Sequence, residues 1–444
     1  MKRHLLQSIS AICLLATISL ASCNRIEDIP GEEPGIQQPV VNEMTFTATL
    51  SPKSSATKSV DASGATAWVA GEEIAVYYQK TDDTHEAVTA TVGTPNQDGS
   101  APITATFSNA KNGTEVDFVY PAYLHDGAGD IDESKLLTQQ NGLLTNGTKK
   151  SISRNFDAAT TTATLVTDGT TCGTTATITM TNRVCICKFS FSRTGGGSMI
   201  ERIEKLEIYI DGKTYSISPS SSSVYVAMLP TSGADALFGV YNNGQAQAGG
   251  DVTLYGENYV KLASNVTLKA GKFYRNIPIE CISAQEYSGT RTTTITIPDN
   301  GAIILNNATV SVTENNGITT ASTSGNGIIV LKGNNIVTTS MRLAAGIRIE
   351  HSDTKLFIGG NGSLEAHAAP IYYEQRGAAI GVDCEGQGGY INIHGTIASL
   401  SADGGIGVGT AGDINGVIID GVVNPTGEST YPHLTRSGDT WTHK

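Results

Sequence analysis

The sequence predicts an all-β protein: two successive β-sandwiches followed by a right-handed parallel β-helix. Three observations carry this. Gly, Thr, Ser, Asn and β-branched residues abound among the 444 residues while aromatics make up 6%, a composition suited to many short strands and turns. From Met44 to about Cys281, short segments of alternating hydrophobicity are separated by turn clusters, the pattern of sheets that bury one face. From about Thr290 onward the chain changes to Gly-rich units of three short strands each, the pattern of a solenoid.

Ahead of these regions, Lys2 and Arg3 precede an apolar run from Leu5 to Leu20 that stops at Leu20-Ala21-Ser22-Cys23. The run is shorter than the ~20 residues of a membrane span, and small residues before a cysteine admit a processing peptidase, so residues 1–22 read as a signal peptide. The pattern resembles a bacterial lipobox. That resemblance implies that Cys23 becomes the lipidated first residue of the mature chain, acylated with groups such as palmitate and seated in outer-membrane lipid. Glu27-Asp28 follow closely; a similar acidic pair in lipoproteins of some Gram-negative anaerobes directs export to the outer face, so the resemblance implies the cell surface. Residues 23–43 carry Pro30, Pro34 and Pro39 with few apolar side chains and read as a flexible tether. Loss of Lys2 and Arg3 with the signal leaves 27 basic residues against 42 acidic ones, a net charge of −15. Such a chain repels nucleic acid.

The first sandwich is placed at residues 44–172, on MTFTATL, EEIAVYYQ, ITATFS and EVDFVYPA separated by TPNQDGS and NAKNGT. The second is placed at 173–283, on ATITMT, RVCICKFSFS, IEKLEIYIDGKTYSI, SVYVAMLP, ALFGVYNN and GKFYRNIPI. In VCICKFSF, Cys185, Cys187, Phe189 and Phe191 share one face of a strand. Beyond Cys13 and Cys23 an odd set of cysteines remains, Cys172, Cys185, Cys187, Cys281 and Cys384, so full pairing is excluded. They read as small buried hydrophobes, with a bridge from Cys172 to Cys185 or Cys187 as the alternative. No second Cys or His pair stands at zinc-ligand spacing.

MTFTATLSPKSSATKS, AWVAGEEIAVYY, DFVYPA, TNRVCICKFSFS and LKAGKFYRNIPI, in that order, resemble the successive signposts of the fimbrillin-like family over about residues 44–282. The resemblance implies two transthyretin-like sandwiches, a lipoprotein precursor, and a pilus subunit or related surface protein. Members that polymerise donate a strand to a neighbouring subunit after proteolysis, which exploits an unpaired sheet edge. Arg154 in SISRNFD is a candidate cleavage site, an ordinary exposed arginine being the alternative. The chain departs from that pattern in its long third region, which points to a tip or accessory subunit, with other fimbrial subunits as partners, or to a free-standing surface lipoprotein.

After a short linker around Ser283 to Thr293, the third region (290–444) repeats a small-residue-plus-Ile step: GAIIL, NGIIV, AGIRI, AAIGV and GGIGV, aligned on Ile303, Ile328, Ile347, Ile380 and Ile406. AGIRIE, KLFIGG and SLEAHA are three strands of one turn; AAIGVD, GGYINIHG and TIASLSAD are those of the next. Ile347, Ile349, Ile380, Val382, Ile406 and Val408 are expected to stack along the core, with turns ~4.8 Å apart. Gly381, Gly386, Gly388, Gly389 and Gly395 are expected at corners or close approaches. Ile391 and Ile393 point inward and Asn392 and His394 outward. Trp441 is expected to cap the end of the core. The GIGV-type units are similar to a group of extracellular β-helix proteins described as carbohydrate-binding, which implies a sugar-polymer ligand, with calcium as the one cofactor to consider.

Polysaccharide recognition needs planar aromatic surfaces and polar groups that satisfy hydroxyls. The segment HAAPIYYEQRG supplies Tyr372, Tyr373 and Arg376 in the longest interval between repeats, and Tyr390, His394 and Arg348 are candidates on nearby turns. The alternative is a loop that caps the solenoid and buries its own tyrosines. Asp383, Glu385 and Asp403 could supply oxygens to a calcium ion. No catalytic residues are assigned: the one Asp-Asp pair, Asp82-Asp83, lies in the first sandwich, and no G-x-S-x-G, H-E-x-x-H or phosphate loop occurs. The expected function is a cell-surface adhesin, tip or accessory fimbrial subunit that binds a polysaccharide or host glycan. The alternatives are a structural surface protein without a ligand, and a polysaccharide lyase or hydrolase.

Overall fold

A computed structural model describes residues 42–53, 67–144, 151–195, 199–200, 203–219, 223–242, 258–322, 324–369, 377–383 and 386–407, with strand backbone at 413–419, 425–427, 434–437 and 440–443. Among the described residues, helix is confined to three short segments, Ala122–Leu124, Glu133–Thr138 and Ile152–Asn155. The rest is strand and turn. Cys23, Tyr372, Tyr373, Arg376, Cys384, Glu385, Val408 and the Trp441 side chain lie outside the described residues.

Alternation in Glu43–Leu50 turns Met44, Phe46 and Leu50 inward. This strand sits between Ala101–Ser108, antiparallel, and Thr171–Thr174, parallel. Pairing continues from Ala101–Ser108 through His85–Val92 and Glu73–Gln79 to Glu115–Tyr120, and from Thr171–Thr174 to Ala159–Thr167. Glu115–Tyr120 then pairs with Ala159–Thr167, so the sheet closes on itself. The enclosed core is aromatic: Phe107 stacks between Phe46 and Tyr78, with centroids 4.5 and 4.1 Å away. Lys53 covers part of this core with its ammonium 2.9 Å from Glu72 and 4.1 Å from the centre of the Trp68 ring. Burial lowers its pKa, and Glu72 opposes that shift.

In the second region Cys185–Arg193 pairs with Ser223–Met228, antiparallel, and with the first half of Phe273–Arg291, parallel. A second sheet runs Lys213–Ile217, Lys205–Ile210, Thr231–Tyr241 and Asn258–Leu268, all antiparallel. One core lies between them, where Phe189 and Phe191 meet Phe238 at 5.4 and 6.3 Å. Cys185, Cys187 and Cys281 are thiols in this core, whereas the Cys172 thiol lies in the first core.

The strand Phe273–Arg291 corrects one expectation. No linker separates the second region from the third; the strand runs through Ser283–Arg291 without a break and pairs in parallel with Gly301–Val312. Its ladder hydrogen bonds hold a segment whose small and polar residues resemble a linker in sequence.

Three parallel ladders make up the third region. The first joins Gly301–Val312, Gly327–Lys332, Lys355–Gly360, Gln387–Ile393 and Asp413–Ile419. The second joins the end of Gly301–Val312 to Asn334–Thr339, Ser363–His367, Ser399–Asp403 and Pro425–Gly427. The third joins Ile295–Ile297, Ile318–Thr320, Ile347–Arg348, Ile380–Gly381 and Ile406–Gly407. The chain visits the ladders in rotation, and AGIRIE, KLFIGG and SLEAHA fall on three different ones. Inside, aliphatic residues stack in register, Ile303 on Ile329, Ile358 and Ile393 in one column and Ile318 on Ile347, Ile380 and Ile406 in another. The aligned phase therefore needs correction at its start: Ile303 and Ile328 belong to the first ladder, and Ile295 and Ile318 begin the column that Ile347 continues. Gly389 allows close stacking, since a Cβ there would stand 1.8 Å from the Thr354 carbonyl oxygen. Beyond the last rung, Thr440–His443 pairs antiparallel with Ile418 and Ile419, and Trp441 is on this strand.

Candidate functional site

A cleft of about 920 Å³ opens where the second region meets the outer face of the first ladder. Its cause is a divergence of strands. Asn258–Leu268 pairs with Phe273–Arg291 only through Asn258–Val260, and beyond that point Lys261, Leu262 and Ser264 form one wall of the cleft. The opposite wall is the ladder. Deeper in, the same two surfaces are sealed by Tyr209, Leu237, Tyr241 and Val260 packed with Ile304, Val330 and Phe357. Lys332 holds its ammonium 3.9 Å over the Tyr241 ring, and Glu286 accepts hydrogen bonds from Asn258 and Asn306 at 2.8 and 2.7 Å. The interface is thus tied by polar groups as well as apolar ones.

Parallel register arranges the ladder wall in columns. Ile328, Phe357 and Asn392 are in register on successive rungs and form one. Asn300, Asn326, Lys355 and Tyr390 form the next. Asn326 N–H donates to Asn300 Oδ1 and Lys355 N–H to Asn326 Oδ1, each at 3.1 Å, and Lys355 is in register with Tyr390. Tyr390 is 45% exposed. Its ring lies against Gly416, where an added Cβ would stand 3.2 Å from it, and Lys355 places its ammonium 5.7 Å from the ring centre. An exposed tyrosine backed by glycine offers a flat apolar face, and the amides and ammonium beside it offer donors.

The candidates chosen from sequence do not form a single group. Tyr390 lies in the cleft. His394 is on the same outer face but 6% exposed, so the expectation that it faces solvent is corrected: the second region covers it. Its Nε2 donates to the Asp235 carbonyl at 3.1 Å, which leaves Nδ1 to accept from the Thr396 hydroxyl, also at 3.1 Å. Arg348 is on the third ladder, with Nη1 2.9 Å from Asp383 and Nη2 3.1 Å from Glu350. Asp383 also accepts from Ala345 N–H; burial raises its pKa, and Arg348 opposes the shift. A smaller cavity of about 420 Å³ borders this pair. Asp403 ends a second-ladder strand beside His367, whose ring also meets Glu365 at 2.7 Å. Among the described residues no group of three His, Cys, Asp or Glu side chains is placed to hold a metal ion. Arg154 is exposed, on the turn Ile152–Asn155.

Sequence reasoning missed Asn300, Asn326, Lys261 and Lys355. One signal was present: an Asn-Gly step, Asn300-Gly301 and Asn326-Gly327, recurs at the start of the repeats GAIIL and NGIIV. Nothing local marks Lys261 or Lys355.

No family model matches the chain, and no curated protein matches it. Among solved structures it is similar to a fimbrial protein from Bacteroides ovatus, at 13% identity over 54% of this chain and 51% of that one, with a TM-score of 0.25. It is also similar to cell adhesion proteins from Parabacteroides distasonis (10% identity, 55% and 94% coverage, TM-score 0.27) and Bacteroides fragilis (13% identity, 53% and 92% coverage, TM-score 0.29). The match thus spans about half the length of the Bacteroides ovatus chain. At these TM-scores the likenesses decide nothing about role. No helix among the described residues is long and apolar enough to cross a membrane.

Proposed function

We propose that this chain is a cell-surface adhesin, a tip or accessory fimbrial subunit, that binds glycan in the cleft at Tyr390. The observation that carries the reading is the exposed Tyr390 ring at the end of a column of side-chain donors, in a cleft whose walls come from two regions that pack together. Aromatic face plus fixed donors is the chemistry that sugar rings and hydroxyls require. In this reading residues 44–172 and 173–283 are two transthyretin-like sandwiches, and 290–444 is a right-handed parallel β-helix that presents the site. Cys23, in the LASC sequence, anchors the chain to outer-membrane lipid on the cell exterior. In this reading the cleft residues serve as donors and an aromatic platform, and the role is one of binding.

A glycan array probed with the mature chain carrying Cys23→Ser tests the binding. Retention on polysaccharide or host glycans, lost in Tyr390→Ala, supports the reading. Absence of retention on every glycan leaves a structural surface protein. Metabolic labelling with a palmitate analogue tests the anchor, and label that persists in Cys23→Ser refutes it.

A further inference from the structure

Resting on the glycan-binding reading, we infer that the cleft selects an acidic glycan, one bearing carboxylate or sulfate groups, laid along the stacking direction with an anionic group at Lys355 and a sugar ring on Tyr390. The juxtaposition behind this is a row of side chains that each present a donor along one wall. Asn300 and Asn326 each give Oδ1 to the N–H of the residue on the next rung. That assignment leaves each Nδ2 to donate, and Lys355 has only donors to offer. Rungs stand ~4.8 Å apart, so the three groups and Tyr390 repeat at a regular spacing along one wall. An extended peptide would need acceptors alternating with donors along the same line.

Charge points the same way. The chain is strongly acidic, with a net charge of −13, yet among the described residues the cleft gathers Lys261 and Lys355 against one carboxylate, Asp235. Asp235 already accepts from Asn265 N–H at 3.2 Å. Neither ammonium forms an ion pair with a carboxylate among the described residues. Low-dielectric walls focus the field of these two charges into the cleft, which raises the local concentration of anions. Lys355 beside the Tyr390 ring then couples the two halves of the recognition, the charge fixing the anionic substituent and the ring its sugar.

The test measures binding of the mature Cys23→Ser chain to oligogalacturonate and chondroitin sulfate fragments, with xylohexaose and cellohexaose as neutral controls, by titration calorimetry. The expected result is binding of the acidic fragments only. Affinity should fall about tenfold in Lys355→Gln and fall again as salt rises. Lys355 is exposed, and unchanged thermal unfolding of the variant would show that its fold is intact. Binding of the neutral hexaoses as tightly as the acidic ones, unaffected by Lys355→Gln, overturns the acidic class and leaves the glycan reading standing. No binding of any fragment overturns the inference, while the glycan reading itself falls only if the array also shows no retention. Poly-glutamate that binds where the fragments do not makes the cleft a site for acidic peptide and also overturns the inference.

Discussion

The core enclosed by the first sheet is built on rings, Phe107 between Phe46 and Tyr78 with Trp68 against Tyr120, whereas the apolar core of the stacked region, among the described residues, is made of Ile, Leu, Val and Ala. The difference follows from geometry. A closed sheet points side chains inward from many directions, and large rings fill that lumen efficiently. In the stacked region each inward residue sits directly above its counterpart on the next rung, within a space bounded by three narrow ladders. Branched aliphatic chains nest there without gaps, and rings stay outside: Phe357 and Tyr390 are on the outer face. The first core is a mosaic, the second a repeat.

The sharpest way to break this contrast is to add volume where rungs touch. Gly389→Val sets a Cβ against the Thr354 carbonyl, and a loss above ~4 kcal/mol is expected, enough to unfold the stacked region. By contrast Gly71→Ala, at φ +86° with nothing within 4 Å of the added Cβ, should cost only about 1 kcal/mol. Limited proteolysis of the two variants compares them; equal resistance would contradict the close-stacking account. Removing volume sharpens the contrast. Phe46→Ala should cost roughly 3–5 kcal/mol and Ile380→Ala roughly 2–5 kcal/mol, each shifting a different transition in urea. A shift of one common transition by both would mean that the cores unfold together.

Next in size is Asn335, 1% exposed within the stacked region. Its Oδ1 accepts from Ala308 N–H at 3.0 Å, while Nδ2 donates to the carbonyls of Lys332 and Ser363 at 3.1 and 3.2 Å. It therefore ties three rungs. Asn335→Ala should cost about 2–3 kcal/mol by leaving those groups unpaired, read as a lower urea midpoint, and a change below 0.5 kcal/mol would show that water replaces the amide. The most gradual effect is alkaline. Burial pushes the Tyr78 hydroxyl up to about 12 and the Cys172 thiol up to about 11. Both stay protonated in the fold, so their contribution is complete below the unfolded values of ~8.5 for Cys and ~10 for Tyr. It is lost as pH climbs through the folded ones. Among the described residues the apolar cluster of the stacked region is built of Ile, Leu, Val and Ala, none of which titrates. Near-UV dichroism should thus show the first region loosening between about pH 9 and 12 while the stacked region keeps its protease resistance, and simultaneous loss of both would refute the distinction.

Much of the stacking was legible because Ile347, Ile380 and Ile406 each stand beside glycine in a third-ladder strand whose period is clear. Ile303 and Ile328 misled for a physical reason. At the first two rungs of the first ladder outward Ile304 and Val330 are as buried as inward Ile303 and Ile329, and a one-residue slip leaves no polar mark. The same cover explains His394, which alternates outward correctly and is nonetheless buried. Sequence also placed Tyr390 among the candidates, but Lys261 comes to the cleft from a strand far away in the chain, and no local pattern records where two strands part.

The continuous strand Phe273–Arg291 bears on how the molecule would carry load. Its first half is bonded beside Cys185–Arg193 and its second half beside Gly301–Val312, both in parallel. Tension on a glycan held at the cleft would pass into the second region along one covalent line, and those ladder bonds would resist it together, in shear. A hinge at that joint would peel them open one by one.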